Sequence, residues 1–243
     1  MSKISIVIPV YNESVRIVNL IKYLLAHSSG FNVSDIIVVD GGSTDQTVNE
    51  VNYFIKSNQP ANNDNFIPVK LLHSEKGRAK QMNTGSKAST ANILYFLHAD
   101  CFPPKYFDQY IIDTINKGSN TGCFRMKFDS NHWWLKLAGW FTQLNWRMCR
   151  GGDQSLFITK ELFETLGGYD ESYQIYEDNI LIAKLYKHGK FKVIQQWISS
   201  SARNYQKHGV WKLQYHYWMV HLKKRLGASP QSLYQYYKKH FSC

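Results

Sequence analysis

The run Ile93-Leu94-Tyr95-Phe96-Leu97, followed at once by His98-Ala99-Asp100, is the tightest constraint in the chain. Five consecutive apolar residues suit a strand covered on both faces, the situation of a central strand in a parallel sheet. On an extended backbone His98 and Asp100 point to the same side. Cys101-Phe102-Pro103-Pro104 then stops the strand, because neither proline donates to a ladder. In open α/β sheets ligands bind in the crevice beyond the carboxyl ends of the strands. Asp100 is therefore a candidate ligand for a divalent metal; the alternative is that His98 and Asp100 only cap the next turn.

The rest of the chain supplies neighbours for that strand. Residues 4–11 (ISIVIPVY) read as a buried strand with Pro9 near its exit, where a ladder donor can be spared. Asn12-Glu13-Ser14 opens a helix whose Ile17, Leu20, Ile21, Leu24 and Leu25 keep a 3–4 spacing. Residues 35–40 form a second strand, followed by Gly41-Gly42 and a helix start in which Ser43 and Gln46 have capping-box spacing. Val48, Val51 and Ile55 give that helix its stripe. Residues 58–66 read as a surface loop, residues 69–73 as a third strand, and Lys76-Gly77-Arg78 as a loop entering a helix through Met82 and Ala88. This β-α-β-α order predicts a parallel sheet, with Tyr11, Asp40, Arg78 and Asp100 on one rim.

After a helix near 105–117 the character changes. Residues 123–128 alternate like a strand with one wetter face. Residues 132–150 hold Trp133, Trp134, Trp140 and Trp146, which suit a core, a platform that stacks on a sugar or lipid, or a membrane-facing surface. Gly151-Gly152-Asp153 is a turn before a strand over 154–159. Gly167-Gly168-Tyr169 ends a short helix, and Glu177-Asp178 heads another with Gly189 as its C-cap. Residues 191–195 are a last strand. Beyond about Arg203, Trp211, Tyr215, Trp218 and Leu222 recur every 3 or 4 residues, an amphipathic basic helix that either lies on an anionic membrane or packs on its own domain.

Charge sharpens this division. Residues 1–178 hold 17 Lys+Arg and all 18 Asp+Glu, whereas residues 179–243 hold 12 Lys+Arg and no acid. The excess suggests an anionic partner: a membrane surface, a phosphorylated substrate or nucleic acid, although no nucleic-acid motif is present. No run of about 18 apolar residues occurs, and the start runs straight into a strand, so a cytoplasmic protein, peripheral to the inner membrane face at most, is expected. Cys101, Cys123, Cys149 and Cys243 lack metal-site or disulfide spacing and read as free thiols.

Residues 5–13 (SIVIPVYNE), residues 38–45 (VVDGGSTD), Gly77-Arg78 with Asn83-Thr84-Gly85, His98-Ala99-Asp100 and Glu177-Asp178 together resemble the ordered motifs of glycosyltransferase family 2. The likeness spans residues 4 to about 195. The His98-Ala99-Asp100 ending, with Gly152-Asp153-Gln154 and Gly167-Gly168-Tyr169, is most similar to a small bacterial subgroup associated with radical-SAM, selenium or arsenosugar genes. The resemblance implies an α/β GT-A fold, a Rossmann-like nucleotide-binding, mostly parallel sheet flanked by helices. A domain over 1–200 would divide into a nucleotide-sugar half (1–104) and an acceptor half (105–200), with a basic helical extension over 201–243.

It also implies roles. Pro9, Tyr11, Glu13, Asp40, Gly41, Arg78 and Ala99 would line the nucleotide, Asp40 contacting a base that is usually uracil. Asp100, with His98 in place of the usual first acid, would hold Mn²⁺ or Mg²⁺ on the diphosphate of a nucleotide-sugar donor. A neutral His98 suits a metal or a ribose hydroxyl, a protonated one a phosphate. Asp178, beside Glu177, would be the base for inverting transfer to an acceptor hydroxyl. Asp153 and Gln154 would border the acceptor, and Arg203 and His208 would form a flap over the diphosphate. Gly41 departs from the pattern, standing where a second aspartate is common. A nucleotidyltransferase is disfavoured because no Gly-rich, Arg-containing loop follows the first strand. The rival is a non-catalytic nucleotide- or membrane-binding protein, and the aromatic content would permit a homodimer.

Overall fold

The structure, a computed structural model, describes residues 2–58 and 66–241. Its strands are β1 (Ile4–Val10), β2 (Val33–Asp40), β3 (Val69–His73), β4 (Ile93–Phe96), β5 (Cys101–Phe102), β6 (Thr121–Phe128), β7 (Leu156–Thr159) and β8 (Phe191–Ser200). The helices are α1 (Ile17–His27), α2 (Thr47–Ser57), α3 (Arg78–Ala88), α4 (Phe107–Asn116), α5 (Trp133–Phe141), α6 (Lys160–Thr165), α7 (Glu177–His188), α8 (Arg203–His208), α9 (Val210–Arg225) and α10 (Pro230–Phe241).

One sheet runs in the order β3-β2-β1-β4-β7-β6-β8-β5. The first four strands are parallel, β7 is antiparallel to both its neighbours, and β6 pairs parallel with β8. Side-chain alternation explains why the central strands are apolar throughout. Ile4, Ile6, Ile8, Ile36, Val38, Ile93 and Tyr95 face a layer made by α1, α2 and α4. Val7, Ile37, Val39, Leu94 and Phe96 face α3, α6 and α7. On that second face Gly85 lets α3 lie close on the sheet, because a Cβ there would overlap Val7. Pro9 fits because the β1–β4 register ends at Val7 and Phe96, leaving only β2 alongside it.

Several expectations need correction. The strand at 93 ends at Phe96, and the backbone N–H of Cys101 reaches the His98 carbonyl at 3.1 Å, closing a turn. His98 and Asp100 therefore do not share one side of an extended strand. Cys101-Phe102 is not a stop but a two-residue strand paired with Ser199 and Ser200; the stop is the proline pair that follows. No capping box forms at Ser43 and Gln46. Asp45 instead accepts from the Thr47 amide at 2.9 Å, while the Ser43 hydroxyl accepts from the Asn12 amide. Helix α2 buries Val51 and Phe54, with Val48 and Ile55 half-buried. Gln154 belongs to a 3-10 turn over Gly152–Gln154, and β8 runs five residues further than the predicted last strand. The loop predicted at 58–66 lies mostly outside the described residues, as does Cys243; Cys101, Cys123 and Cys149 are free thiols.

The tail also differs. Helix α9 docks through Leu213, His216 and Val220, the last in a cluster with Tyr173, Ile175 and Leu233 of α10. Trp211, Tyr215, Trp218 and Leu222 are the outward face, each about half exposed. The helix is apolar on two sides: it packs on its own domain through Leu213, His216 and Val220, while the stripe picked out by 3–4 spacing faces outward. The tryptophans of α5 are likewise not core: Trp133 is 61% exposed. Among the described residues no helix is long and apolar enough to cross a membrane.

Candidate active site

The carboxyl ends of β1, β2 and β4 define the rim. Asp40 closes β2 almost fully buried, and its carboxylate accepts from the backbone N–H of Gly42 at 2.9 Å and of Ser43 at 3.1 Å. It thereby holds a tight turn in which Gly42 has φ +82°. Tyr11 stands exposed at the same rim with the Lys76 ammonium 3.6 Å from its ring centre. Gly41 is explained by a residue that sequence reasoning passed over. Buried Gln81 donates from Nε2 to the carbonyls of Val10 (2.7 Å) and Val39 (2.8 Å), joining the ends of β1 and β2. A Cβ on Gly41 would stand 2.9 Å from the Gln81 amide carbon.

Arg203, at the start of α8, reaches back to this rim. Its guanidinium makes a two-pronged ion pair with Glu13, which also takes Arg16 at 3.2 Å, and its Nε lies 3.5 Å from Oδ2 of Asp100. Glu13 is therefore occupied by arginines. Ala99 is buried in the turn before Asp100. Burial, together with repulsion from Asp153, raises the Asp100 pKa above the usual carboxylate range, against the pull of His98 and Arg203. His208 is not gathered here; it sits at the other end of α8 with its ring against Phe241.

The second wall is the start of α7. Glu177 is fully buried and Asp178 nearly so. Arg78, at the start of α3, ion-pairs with Glu177 at 2.8 Å, and that charge is the main reason its own pKa is raised. Burial pushes the Glu177 carboxyl up while Arg78 opposes the shift. Asp178 lies against the backbone of Gly152, where a Cβ would overlap its Oδ2. His98 Nδ1 is 3.5 Å from Asp153 Oδ1. Burial disfavours the imidazolium, yet the hydrogen bond to Asp153, with help from the charge of Asp178, outweighs it and raises the His98 pKa. The Asp153 side chain is more than half exposed; the protein crowded around it opposes ionisation, but His98, Arg78 and Arg203 together hold its pKa low.

Among the described residues no three His, Cys, Asp or Glu side chains form a complete metal cage. The donors that are present suit a hard cation shared with a substrate: Asp100, with Asp153 close enough to repel it, supplies the one or two carboxylates such a cation takes beside phosphate oxygens.

Asp153 also borders a cavity of about 500 Å³, lined in part by Met126, Arg147, Met148, Asn179, Tyr217 and Trp218. Gln154 lines it too, but its amide is engaged, donating to the Cys149 carbonyl at 2.8 Å. Buried Arg150, another residue unmarked by any motif, braces this wall by donating to the carbonyls of Thr142 and Leu144 at 2.6 Å.

The family model for Glycosyl transferase family 2 matches residues 5–169. The chain is 25% identical over 205 residues to the probable glycosyltransferase YdaM of Bacillus subtilis, covering 78% of this chain and 48% of that protein. It is 23% identical over 205 residues to the undecaprenyl-phosphate 4-deoxy-4-formamido-L-arabinose transferase of Proteus mirabilis, covering 84% and 57%. The chain thus spans about half the length of these curated relatives. Among solved structures, a mannosyltransferase from Pyrobaculum calidifontis in complex with GDP-Man and Mn²⁺ superposes with a TM-score of 0.69 at 16% identity, over 98% of this chain and 68% of that one. TarS of S. aureus in complex with UDP-GlcNAc gives 0.63 at 17%, over 82% and 58%. The sheet order and the buried rim agree with that shared α/β fold, and with the match covering most of its length the chain belongs to glycosyl transferase family 2.

Proposed function

We propose that this chain is an inverting glycosyltransferase, moving a sugar from a nucleotide diphosphate donor, a UDP-sugar by preference, to an acceptor hydroxyl. The observation that carries this reading is the position of Asp178 on the wall facing the Asp100 rim, with Arg78, His98 and Asp153 between them. In the reaction Asp178 removes the acceptor proton as the oxygen attacks the anomeric carbon, and the bond from that carbon to the diphosphate breaks on the opposite face. Glu177 is a positioning residue, tied to Arg78. Residues 1–104 form the donor half and 105–200 the acceptor half, with Asp153 at their junction. Asp100, with His98 nearby, would hold Mn²⁺ or Mg²⁺, and such a cation would neutralise charge on the leaving diphosphate. Arg203 adds a second cation there, its pKa raised chiefly by its hydrogen bond to Glu13. The Mn²⁺ named with the Pyrobaculum enzyme supports this assignment, as does the UDP-GlcNAc named with TarS. The His98-Ala99-Asp100 ending supports placement in the radical-SAM-associated subgroup, and the chain is taken as cytoplasmic.

Thermal stability with nucleoside diphosphates and nucleotide sugars, with and without Mn²⁺, tests the reading. A donor at about 100 times its dissociation constant adds roughly 2.7 kcal/mol to native stability. That shift is expected with one nucleotide class, needing metal and absent in Asp100→Ala. Asp178→Asn should keep the shift and lose about 10²–10⁴ in turnover. No shift with any nucleotide sinks the transferase reading, and a shift without product from any acceptor leaves only a nucleotide binder.

A further inference from the structure

We propose that the exposed faces of α5 and α9 form one docking surface for an anionic lipid bilayer, and that it brings the mouth of the Asp153 cavity to the headgroup layer. On α5, Trp133, Leu137, Trp140 and Phe141 are exposed at helical spacing; on α9, Trp211, Tyr215, Trp218 and Leu222 are. The two stripes meet. The Trp133 and Trp211 ring centres are 5.8 Å apart, and Trp134 lies between Trp211 (5.4 Å) and Trp218 (6.0 Å). Met148, also exposed, shares a cavity lining with Ala138 of α5 and Trp218 of α9. Apolar residues so grouped on ordered helices mark an interaction surface.

Charge and side-chain type decide the occupant. Residues 131–152 and 179–243 contain no acid, whereas exposed Lys136, Lys212 and Arg225 lie on the two helices. An anionic surface complements that set, because each cation near the membrane gains from the negative surface potential. Tryptophan and tyrosine favour the headgroup level of a bilayer, with lysine and arginine beside them. Nucleic acid also attracts aromatic and basic residues, but exposed Leu137, Met148, Leu222 and Leu226 offer a base nothing to stack on. They do gain from hydrocarbon.

The surface is continuous with the cavity. Trp218 belongs both to the exposed stripe and to the lining, which also takes in Ala138 of α5 and Met148. An acceptor entering from this side comes from the bilayer interface and is amphiphilic. That second statement rests on the acceptor reading above; the docking does not.

The test uses the full chain with vesicles of phosphatidylcholine alone or mixed with phosphatidylglycerol, read by co-sedimentation and by tryptophan emission. Binding to the mixed vesicles, with a blue shift, is expected. Trp133→Ser/Trp211→Ser should weaken it by about tenfold, as apolar contact area is lost. Lys56→Glu/Lys87→Glu, on α2 and α3 away from the patch, should leave it unchanged. A cooperative thermal melt and an unchanged circular dichroism spectrum show that each variant is folded. The proposal is overturned if the folded protein ignores both vesicles, or if Trp133→Ser/Trp211→Ser binds as tightly as the parent. It also fails if that pair instead abolishes self-association or oligonucleotide binding while vesicle binding is absent. Vesicle binding by the parent protein without transfer from any nucleotide sugar would count against the transferase reading alone.

Discussion

The backbone of Gly152 lies directly against the carboxylate of Asp178: a Cβ on Gly152 would overlap Oδ2 and stand 3.0 Å from Cε1 of His98. The turn before β7 and the first turn of α7 thus approach as closely as glycine permits, and the candidate base cannot swing toward the turn. The contact joins the first turn of α7 to the rim residue His98.

Gly152→Ala should therefore act on chemistry more than on folding. The added methyl displaces Asp178, and a shift of about 1 Å in a reacting group costs on the order of 10²-fold in rate. The expected result is a kcat lower by that factor, with donor-induced thermal stabilisation retained. Unchanged kcat would show that the Asp178 position is not critical.

How much of this was legible beforehand depends on range. Strands β1, β2 and β4 could be read because both their faces are buried, which forces continuous apolar runs. Asp100 and Asp178 could be placed by the order of motifs. Arg203 meeting Glu13 across 190 residues leaves no periodic trace, although a basic residue just past the last strand was a usable signal. Gln81 and Arg150 work through backbone carbonyls, so nothing in residue type or spacing marks them. Periodicity could not tell which apolar face of α9 turns inward.

Gln81 and Gly41 should prove coupled. Gln81→Ala leaves the Val10 and Val39 carbonyls without that donor, costing about 1–3 kcal/mol. Gly41→Ala alone pushes against the Gln81 amide and costs about 1–3 kcal/mol. In the Gln81→Ala background that clash is gone, so the double variant should be more stable than the sum by about 1 kcal/mol or more in denaturant unfolding. Strict additivity would mean the rim relaxes around Gly41 by another route.

Arg203→Ala removes the guanidinium shared by Glu13 and Asp100. If this arginine helps to hold a diphosphate, donor affinity should fall by about 10-fold or more, the worth of a charge-assisted bond. Calorimetric titration with the nucleoside diphosphate reads it directly. Unchanged donor binding and turnover would confine Arg203 to pairing with Glu13.

Stability should also fall on mild acidification, through His216. This residue is buried where α9 meets α10, with Nδ1 2.7 Å from the Tyr236 hydroxyl and its ring stacked 4.3 Å from His240. Tyr236, His240 and Phe241 face it from α10; Tyr215 lies beside it on α9, which also carries Lys212. Burial lowers its pKa below 6.5, and the charges of His240 and Lys212 add to the shift. A histidine with a depressed folded pKa is bound by fewer protons in the native state than in the unfolded one, so stability rises with pH across the window between the two values. The contribution is complete above about pH 6.5, the unfolded value, and is lost as pH falls through the lower native one. Protection of α10 amides relative to their intrinsic exchange rates should accordingly fall below about pH 6.5 while the central strands stay protected. His216→Gln keeps a polar partner for Tyr236 without a titrating ring, and should flatten the dependence; an unaltered pH profile in that variant would move the effect to another group.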